Sequence, residues 1–222
     1  MEKRSILITL SIIFITEARE PGFVVLLNGT SSSGKSSISR ALTNLLPIPT
    51  LAMGVDTIFD MLPPAKKGEW FRPIHEQDAQ GLPLTRMKST PLGKELCRTL
   101  AQVVHLFANA GNNVIVDDVL IGEKELFFYV DELADINVYF IGVYCDIYVL
   151  EIREAIRGNR PLGIARNQAP CVHQRPRFYD LEVDTARQNP LACAEQIITL
   201  IECEKTPHSF DKLRKIRDTA AR

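Results

Sequence analysis

Short apolar runs alternate with segments of helical periodicity along most of the chain. The run Phe23–Leu27 is rich in aliphatic and β-branched residues, which is typical of a buried parallel strand. The same pattern predicts four further strands, at residues 51–55, 114–116, 138–144 and 181–183. Apolar residues at helical spacing predict helices at residues 38–46, 56–62, 91–107, 123–133, 146–157 and 191–203. This alternation predicts an α/β protein with a mostly parallel sheet, helices on both faces and right-handed crossovers.

Two internal segments lack this periodicity. Residues 63–90 are interrupted by Pro63, Pro64, Pro73 and Pro83, and we expect an irregular excursion over the surface. The helix that ends at Gly158 is followed by a segment that we interpret as a loop through about residue 178. Long loops in compact domains are usually functional or disordered, so both segments are candidates for parts of a site.

The two ends of the chain also differ from the predicted domain, which we place at residues 21–204. At the start, charged residues 2–4 precede an apolar run at residues 6–15, an arrangement similar to a signal peptide. The run is too short to span a bilayer as a helix, and no small-x-small cleavage pattern follows it. We interpret residues 1–20 as an N-terminal extension, with export by residues 1–18 as the alternative.

The C-terminal tail, residues 205–222, is basic. Its positive charges are at Lys212, Arg214, Lys215 and Arg217. We interpret this segment as a solvated helix, and a basic binding patch is the alternative.

Composition narrows the function classes. A chain of 222 residues with 45% hydrophobic and 24% charged residues suits one globular domain with a full core. The net charge of -1 gives no bulk electrostatic reason to bind nucleic acid. The five cysteines are widely spaced and form no C-x-x-C, which argues against a disulfide framework or a zinc site. We therefore expect a cytoplasmic protein without a nucleic-acid or membrane partner; the sequence does not indicate an oligomeric state.

A phosphate-binding loop follows the first predicted strand. Residues 29–36 fit the pattern G-x-x-x-x-G-K-[ST], and a strand before and a helix after provide the context that the motif requires. The two glycines let successive amides point at phosphate oxygens, and the helix N-terminus adds positive charge. In such loops the lysine reaches the β- and γ-phosphates and the final hydroxyl joins the Mg²⁺ shell. The predicted nucleotide-binding residues are Gly29, Thr30, Ser31, Ser32, Ser33, Gly34, Lys35, Ser36 and Ser37.

Further charged residues follow other predicted strands and helices. Asp117 and Asp118 end the third strand, where a carboxylate faces the ligand crevice of a parallel sheet and can hold Mg²⁺ together with Ser36. A strand-end or helix-capping role is the alternative for either aspartate, and the sequence does not choose between them.

A set of arginines is a candidate for stabilising transferred charge. Arg153 and Arg157 lie four residues apart on one helix, and Arg160 follows shortly after. Arginines that close over a transferring phosphoryl group stabilise its charge. The alternative is pairing with Glu151 and Glu154 on the same helix.

Asp56 starts the helix after the second strand. A carboxylate there can act as the base that takes the proton of a hydroxyl acceptor. Simple helix capping is the alternative, and spacing alone does not distinguish the two roles.

The ordered set of these blocks resembles the chloramphenicol phosphotransferase family. The blocks are residues 28–37, 54–57, 114–119, 143–146, 153–160 and 179–185. The resemblance covers most of residues 22–204 and implies a P-loop kinase-like fold whose five parallel strands run in the order 2-3-1-4-5. It also implies that Asp56 is the general base and that Arg153, Arg157 and Arg160 belong to a lid closing over the phosphates. We expect residues 158–178 to form the lid-like loop, and residues 63–90 to build the acceptor side. The acceptor-side segment is the part least similar to the family.

The function expected from these observations is ATP- and Mg²⁺-dependent phosphorylation of a small molecule's hydroxyl. The resemblance implies the 3'-hydroxyl of chloramphenicol, and hence antibiotic resistance by inactivation. Two alternatives remain open. One is a nucleotide-binding module without catalysis, and the other is a P-loop kinase for a nucleotide or sugar acceptor.

Overall fold

The computed structural model describes residues 19–174 and 178–220. Within them the strands are β1 (Val24–Asn28), β2 (Thr50–Gly54), β3 (Phe71–Gln77), β4 (Pro83–Ser89), β5 (Asn113–Asp118), β6 (Val138–Tyr144) and β7 (Leu181–Asp184). The helices are α1 (Lys35–Leu45), α2 (Val55–Met61), α3 (Pro91–Asn109), α4 (Glu123–Glu132), α5 (Ile147–Arg157), α6 (Ile164–Val172), α7 (Pro190–Cys203) and α8 (Ser209–Ala220), with a 3₁₀ helix at Pro64–Glu69.

The main sheet confirms the predicted α/β fold. Its five strands run in the order β2-β5-β1-β6-β7, and every neighbouring pair is parallel. Counted among themselves along the chain, these strands have the order 2-3-1-4-5; the labels differ because β3 and β4 form a separate two-stranded sheet.

Two apolar layers enclose the sheet, one on each face. On central strand β1, Val24 and Leu26 belong to the layer under α3, α4 and α8, while Val25 and Leu27 belong to the layer under α1 and α7. Side chains alternate between faces along a strand, so a strand buried on both sides reads as a continuous apolar run. Because all five strands are parallel, their carboxyl ends lie at the same edge of the sheet, and the ligand crevice of such a sheet is found at that edge.

The expectation of an irregular segment at residues 63–90 was wrong. Strands β3 and β4 form an antiparallel hairpin there. The carboxylate of Asp78 accepts hydrogen bonds from the amides of Gln80 and Leu82 and so stabilises the turn. Pro73 and Pro83 are tolerated because, in a two-stranded hairpin, alternate backbone N–H groups point away from the partner strand, and a missing N–H there breaks no bond between β3 and β4.

The loop expected between residues 158 and 178 was also wrong in part, because helix α6 lies within it. Ile164, Ala165, Gln168 and Val172 are buried at helical spacing. Pro170 inside the helix, and the polar residues beside it, hid this pattern in the sequence.

The C-terminal tail forms helix α8, but it is not fully solvated. Phe210 and Leu213 are buried in the core layer with β6. Arg214 donates to the carbonyl of Val130 at 3.0 Å, and Arg217 pairs with Asp131. The packed domain therefore continues past residue 204, and two of the basic side chains in the tail have partners on α4.

The N-terminal extension falls almost entirely outside the described residues, since residues 1–18 are not among them. Among the residues that are described, no helix combines the length and the apolar composition needed to cross a bilayer.

Candidate active site

The phosphate-binding loop joins β1 to α1. Gly34 has a φ of +92°, a left-handed conformation that a glycine adopts without strain. Lys35 folds back over the loop, and its Nζ donates to the carbonyls of Gly29 at 2.9 Å and Thr30 at 2.8 Å. Its side chain is only 6% exposed, and this burial lowers the pKa of Lys35, opposed by the nearby carboxylate of Asp117. A cation is thus held inside the loop, where an anionic group would contact it.

Two hydroxyls in the loop have unused hydrogen-bonding capacity. The Oγ atoms of Ser32 and Ser33 are buried and have no hydrogen-bond partner within the described residues. Ser32 also has a φ of +64°, which is unusual for a residue with a side chain. Unpaired buried hydroxyls are costly, and strained backbone concentrates at ligand sites. Both features fit a loop that receives phosphate oxygens.

Asp117 lies at the mouth of this loop. Its carboxylate accepts a hydrogen bond from the Ser36 hydroxyl at 2.5 Å, and the other oxygen is 3.7 Å from the ammonium of Lys35. A hydroxyl and a carboxylate in contact are the kind of oxygen donors that Mg²⁺ takes from a protein when phosphates supply further ligands. Ser36 and Asp117 therefore fit Mg²⁺, the metal that this type of loop uses.

Asp118 points to the other face of the sheet. Its two oxygens accept hydrogen bonds from the amide of Val119 at 2.7 Å and the hydroxyl of Tyr129 at 2.8 Å. Burial raises the pKa of Asp118 to about 6, although both hydrogen bonds oppose the shift. Strand alternation thus separates the two aspartates, and only Asp117 contacts the predicted metal-binding hydroxyl.

Asp56 and Arg160 meet across the mouth of the cleft. Asp56 lies in the first turn of α2 and forms an ion pair with Arg160. A second nitrogen of the same guanidinium lies 3.3 Å from the Ser31 hydroxyl in the phosphate-binding loop. The fold therefore brings Asp56, Arg160 and the phosphate-binding loop together, although they are far apart in the sequence.

Arg153 also lines the cleft, but its guanidinium is engaged by Thr185. Its guanidinium donates to the hydroxyl of Thr185 at 3.0 Å and to the carbonyl of the same residue at 2.7 Å. The Thr185 hydroxyl in turn donates to the carbonyl of Ser33 at 2.6 Å. Arg153 thus supports the phosphate-binding loop through Thr185, and Arg157, which lines the same cleft, is exposed.

The alternative of ion pairs between these arginines and Glu151 or Glu154 is wrong. Within residues 19–174 and 178–220, both glutamates have other partners. Glu151 pairs with Arg166 of α6. Glu154 is 3% exposed and accepts hydrogen bonds from the amides of Gly163 at 2.6 Å and Ala165 at 2.9 Å. The buried carboxylate therefore fixes the start of α6.

Three polar residues at this site were missed from the sequence: Asn28, Gln168 and Thr185. Gln168 accepts a hydrogen bond from the Ser31 amide at 2.7 Å, and Asn28 donates to the carbonyl of Val172 at 3.1 Å. Each side chain acts on a backbone group that is distant in the chain, so no short spacing marks it. Asn28 and Thr185 lie inside blocks that resemble the family, but nothing in those blocks marks either residue as a contact to the loop.

A cleft of about 1620 Å³ lies at the carboxyl edge of the sheet, and Lys35, Asp56, Asp117 and Arg160 are among the residues that line it. The phosphate-binding loop and Arg157 line one side. The opposite side is formed by α2, the β3–β4 hairpin, α3 and α4, with apolar side chains from Phe59, Phe71, Met87 and Phe128. The rings of Phe59 and Phe71 have centroids 5.8 Å apart. The side opposite the loop therefore combines aromatic rings with charged side chains such as Lys67, Arg86 and Lys94. The ammonium of Lys67 lies 4.2 Å from the centroid of the Phe59 ring.

Residues 22–202 match the profile of a family described as "Chloramphenicol phosphotransferase-like protein". A curated relative from Mycobacterium tuberculosis, "Putative O-phosphotransferase Rv2636", is 26% identical over 200 residues, covering 87% of this chain and 88% of that protein.

Solved structures show the same fold. The APS kinase CysC of Mycobacterium tuberculosis, solved with AMPPNP and APS, is 20% identical with a TM-score of 0.61, covering 83% of this chain and 99% of that chain. Shikimate kinase of Acinetobacter baumannii, solved with shikimate, is 15% identical with a TM-score of 0.54, covering 84% of this chain and 96% of that chain. At these identities the structural likeness shows the fold alone.

Proposed function

The chain belongs to the chloramphenicol phosphotransferase-like family, and on this premise we propose that it is an ATP-dependent O-phosphotransferase that transfers the γ-phosphoryl group to a hydroxyl of a small molecule. One observation carries the proposal. Asp56, Arg160 and Ser31 of the phosphate-binding loop are in contact at a single cleft mouth. A protein that only binds nucleotide needs no carboxylate facing the terminal phosphate, so the arrangement favours catalysis over the non-catalytic alternative.

The nucleotide side of the mechanism uses the loop and its helix. The loop amides and Lys35 bind the phosphates and hold them against the start of α1. Ser36 and Asp117 are the residues that would hold Mg²⁺, and Asp118 is not assigned to it because its oxygens are engaged by Val119 and Tyr129. When bound, Mg²⁺ neutralises charge on the β- and γ-phosphate oxygens.

The acceptor side uses Asp56. The oxygen of the acceptor hydroxyl forms a bond to the γ-phosphorus as the bond to the β-γ bridging oxygen breaks, and ADP leaves. Asp56 takes the hydroxyl proton during this step. Arg157 and Arg160 balance the charge on the transferring group, and Arg153 acts indirectly by holding the loop through Thr185.

Chloramphenicol, at its 3'-hydroxyl, is the acceptor that the family description supports first, and its phosphorylation would inactivate the antibiotic. The aromatic side of the cleft, with Phe59 and Phe71, suits an aryl group next to the reacting hydroxyl. A sugar or nucleotide acceptor is the competing class.

The test is mass spectrometry of chloramphenicol incubated with the protein, ATP and Mg²⁺. The Lys35→Ala and Asp56→Asn variants are run beside the wild type, with parallel reactions on a panel of sugars, nucleosides and hydroxy acids. A chloramphenicol product heavier by one phosphoryl group, absent with both variants, supports substrate, reaction and base together.

Other outcomes separate the alternatives. Phosphorylation of a sugar or nucleoside instead would replace the acceptor and leave the reaction class in place. Tight ATP binding by calorimetry with no product from any acceptor would contradict the catalytic proposal and favour a nucleotide-binding module.

A further inference from the structure

We infer that Gln168 is a positioning residue for phosphoryl transfer: it holds the Ser31 amide and so fixes the end of the phosphate-binding loop that contacts Arg160. The Gln168 side chain is 7% exposed, and its carbonyl oxygen accepts the Ser31 N–H at 2.7 Å. The Ser31 hydroxyl contacts Arg160 at 3.3 Å. One residue of the loop therefore carries both the bond to α6 and the contact to the arginine at the cleft mouth.

Helix α6 is a rigid support for this bond. At its start, the buried Glu154 carboxylate accepts the amides of Gly163 and Ala165. Near its end, Asn28 at the carboxyl end of β1 donates to the carbonyl of Val172. The position of Gln168 is thus set from both ends of a nine-residue helix.

The same helix contacts the acceptor side of the cleft. The Thr85 hydroxyl of β4 donates to the carbonyl of Leu162 at 2.7 Å, and the Thr85 amide donates to the carbonyl of Gly163 at 3.1 Å. Arg166 of α6 also pairs with Asp78 in the hairpin turn at 3.1 Å. Through α6, Gln168 keeps the loop in a fixed relation to the hairpin that forms the acceptor wall.

The inference rests on the proposed use of ATP at this loop, and it has a specific consequence. Without the Gln168 bond the Ser31 amide is left unpaired and the first half of the loop loses its support. Because Arg160 and Asp56 are at this end, ATP is affected more than ADP, which lacks the γ-phosphate. We expect Gln168→Met to weaken ATP binding about fivefold or more, the effect of losing one buried hydrogen bond, with a smaller loss for ADP.

The experiment compares Gln168→Met with Gln102→Met. Methionine keeps the size of the side chain and removes the acceptor, and Gln102 is an exposed residue on α3 far from the loop in the chain. Dissociation constants for Mg²⁺·ATP and Mg²⁺·ADP are measured by calorimetry on the full chain. Unfolding is followed without nucleotide, so that a general loss of stability is recognised.

Hydrogen exchange provides a second measurement that does not depend on nucleotide. In Gln168→Met the Ser31 amide should exchange faster than in the wild type, while the Gln102→Met protein should behave as the wild type does. Faster exchange together with a lower ratio of ATP to ADP affinity supports the inference.

Two results would overturn it. One is an unchanged Ser31 exchange rate, and the other is a loss of affinity that is equal for ATP and ADP or absent. A wild-type protein that does not bind ATP would instead contradict the proposed function itself, so the two failures are distinguishable.

Discussion

Arg160 forms an ion pair with Asp56 while it also contacts the phosphate-binding loop at Ser31. Because the Asp56 carboxylate is ion-paired with Arg160, it is not fully available as a base in this arrangement. An incoming γ-phosphate competes for Arg160 through charge-assisted hydrogen bonds. We expect nucleotide binding to draw Arg160 away and to free Asp56, whose side chain is 59% exposed to the cleft.

The first prediction concerns Asp56 as the base. Asp56→Asn should lower the turnover number about a hundredfold or more, because the acceptor proton loses its carboxylate, while ATP affinity is largely kept. Asp60→Asn is the matched control, since Asp60 lies on the same helix and lines the same cleft. Steady-state kinetics with the identified acceptor measure both. Equal effects of the two substitutions would argue against a specific role for Asp56.

The second prediction separates Asp117 from Asp118. Asp117→Asn should raise the Mg²⁺ concentration needed for half-maximal ATP binding by about tenfold or more, because Ser36 loses its carboxylate partner. Asp118→Asn should leave this requirement unchanged, since Asp118 bonds to Val119 and Tyr129. Titration of Mg²⁺ at constant ATP measures the effect. A larger shift in the Asp118 variant would reverse the assignment.

The third prediction concerns the pH dependence of stability. The pKa of Asp118 is raised by burial from 3.8 to about 6, so the folded state binds its proton more tightly than the unfolded state. This stabilisation is fully present below about pH 4 and is lost as pH rises through about 6, a change of about 3 kcal/mol. Asp118→Asn should remove that part of the pH dependence. Urea unfolding at pH 4, 5, 6 and 7 measures the free energy of unfolding of the wild type and of Asp118→Asn. A difference between the two proteins that stays the same at every pH would contradict the raised pKa of Asp118.

The fourth prediction concerns Thr185. Thr185→Val keeps the shape of the side chain but removes the hydroxyl between Arg153 and the Ser33 carbonyl. We expect a loss of about 1–3 kcal/mol in the free energy of unfolding and weaker ATP binding, because buried partners are left unpaired. Thr199→Val on the exposed face of α7 is the control. Denaturant unfolding and calorimetry give both quantities, and a Thr185 variant as stable as the control would refute the supporting role.

The fifth prediction concerns Glu154 and the start of α6. Glutamine has one acceptor oxygen, so Glu154→Gln should lose one of the two bonds to the amides of Gly163 and Ala165. Hydrogen exchange over residues 159–168 should become faster, and Glu202→Gln, on an exposed residue of α7, should not change it. Unchanged exchange in the Glu154 variant would mean that α6 is held by other contacts.

The sequence by itself determined the parts of this protein that depend on local pattern. The apolar run that ends at Leu27 has Val24–Leu27 buried on both faces of the sheet, and such a run identifies a central parallel strand without reference to the rest of the chain. The phosphate-binding loop is contiguous, and its glycines and lysine are needed at fixed offsets, so residues 29–36 were recognisable from the sequence. The ordered blocks were enough to indicate the family.

Only the tertiary structure decided which side chains act together. It separated Asp117 from Asp118 by strand alternation, and it turned Arg153 toward Thr185 while bringing Arg160 to Asp56. Each of these contacts joins residues far apart in the chain, or depends on which way a side chain points. The hairpin and α6 were missed because prolines interrupt the apolar periodicity of both segments. Packing against the rest of the fold stabilises these elements despite their prolines. Hydrogen bonds to distant backbone groups leave no periodic trace, and for that reason a positioning residue such as Gln168 is visible only in three dimensions.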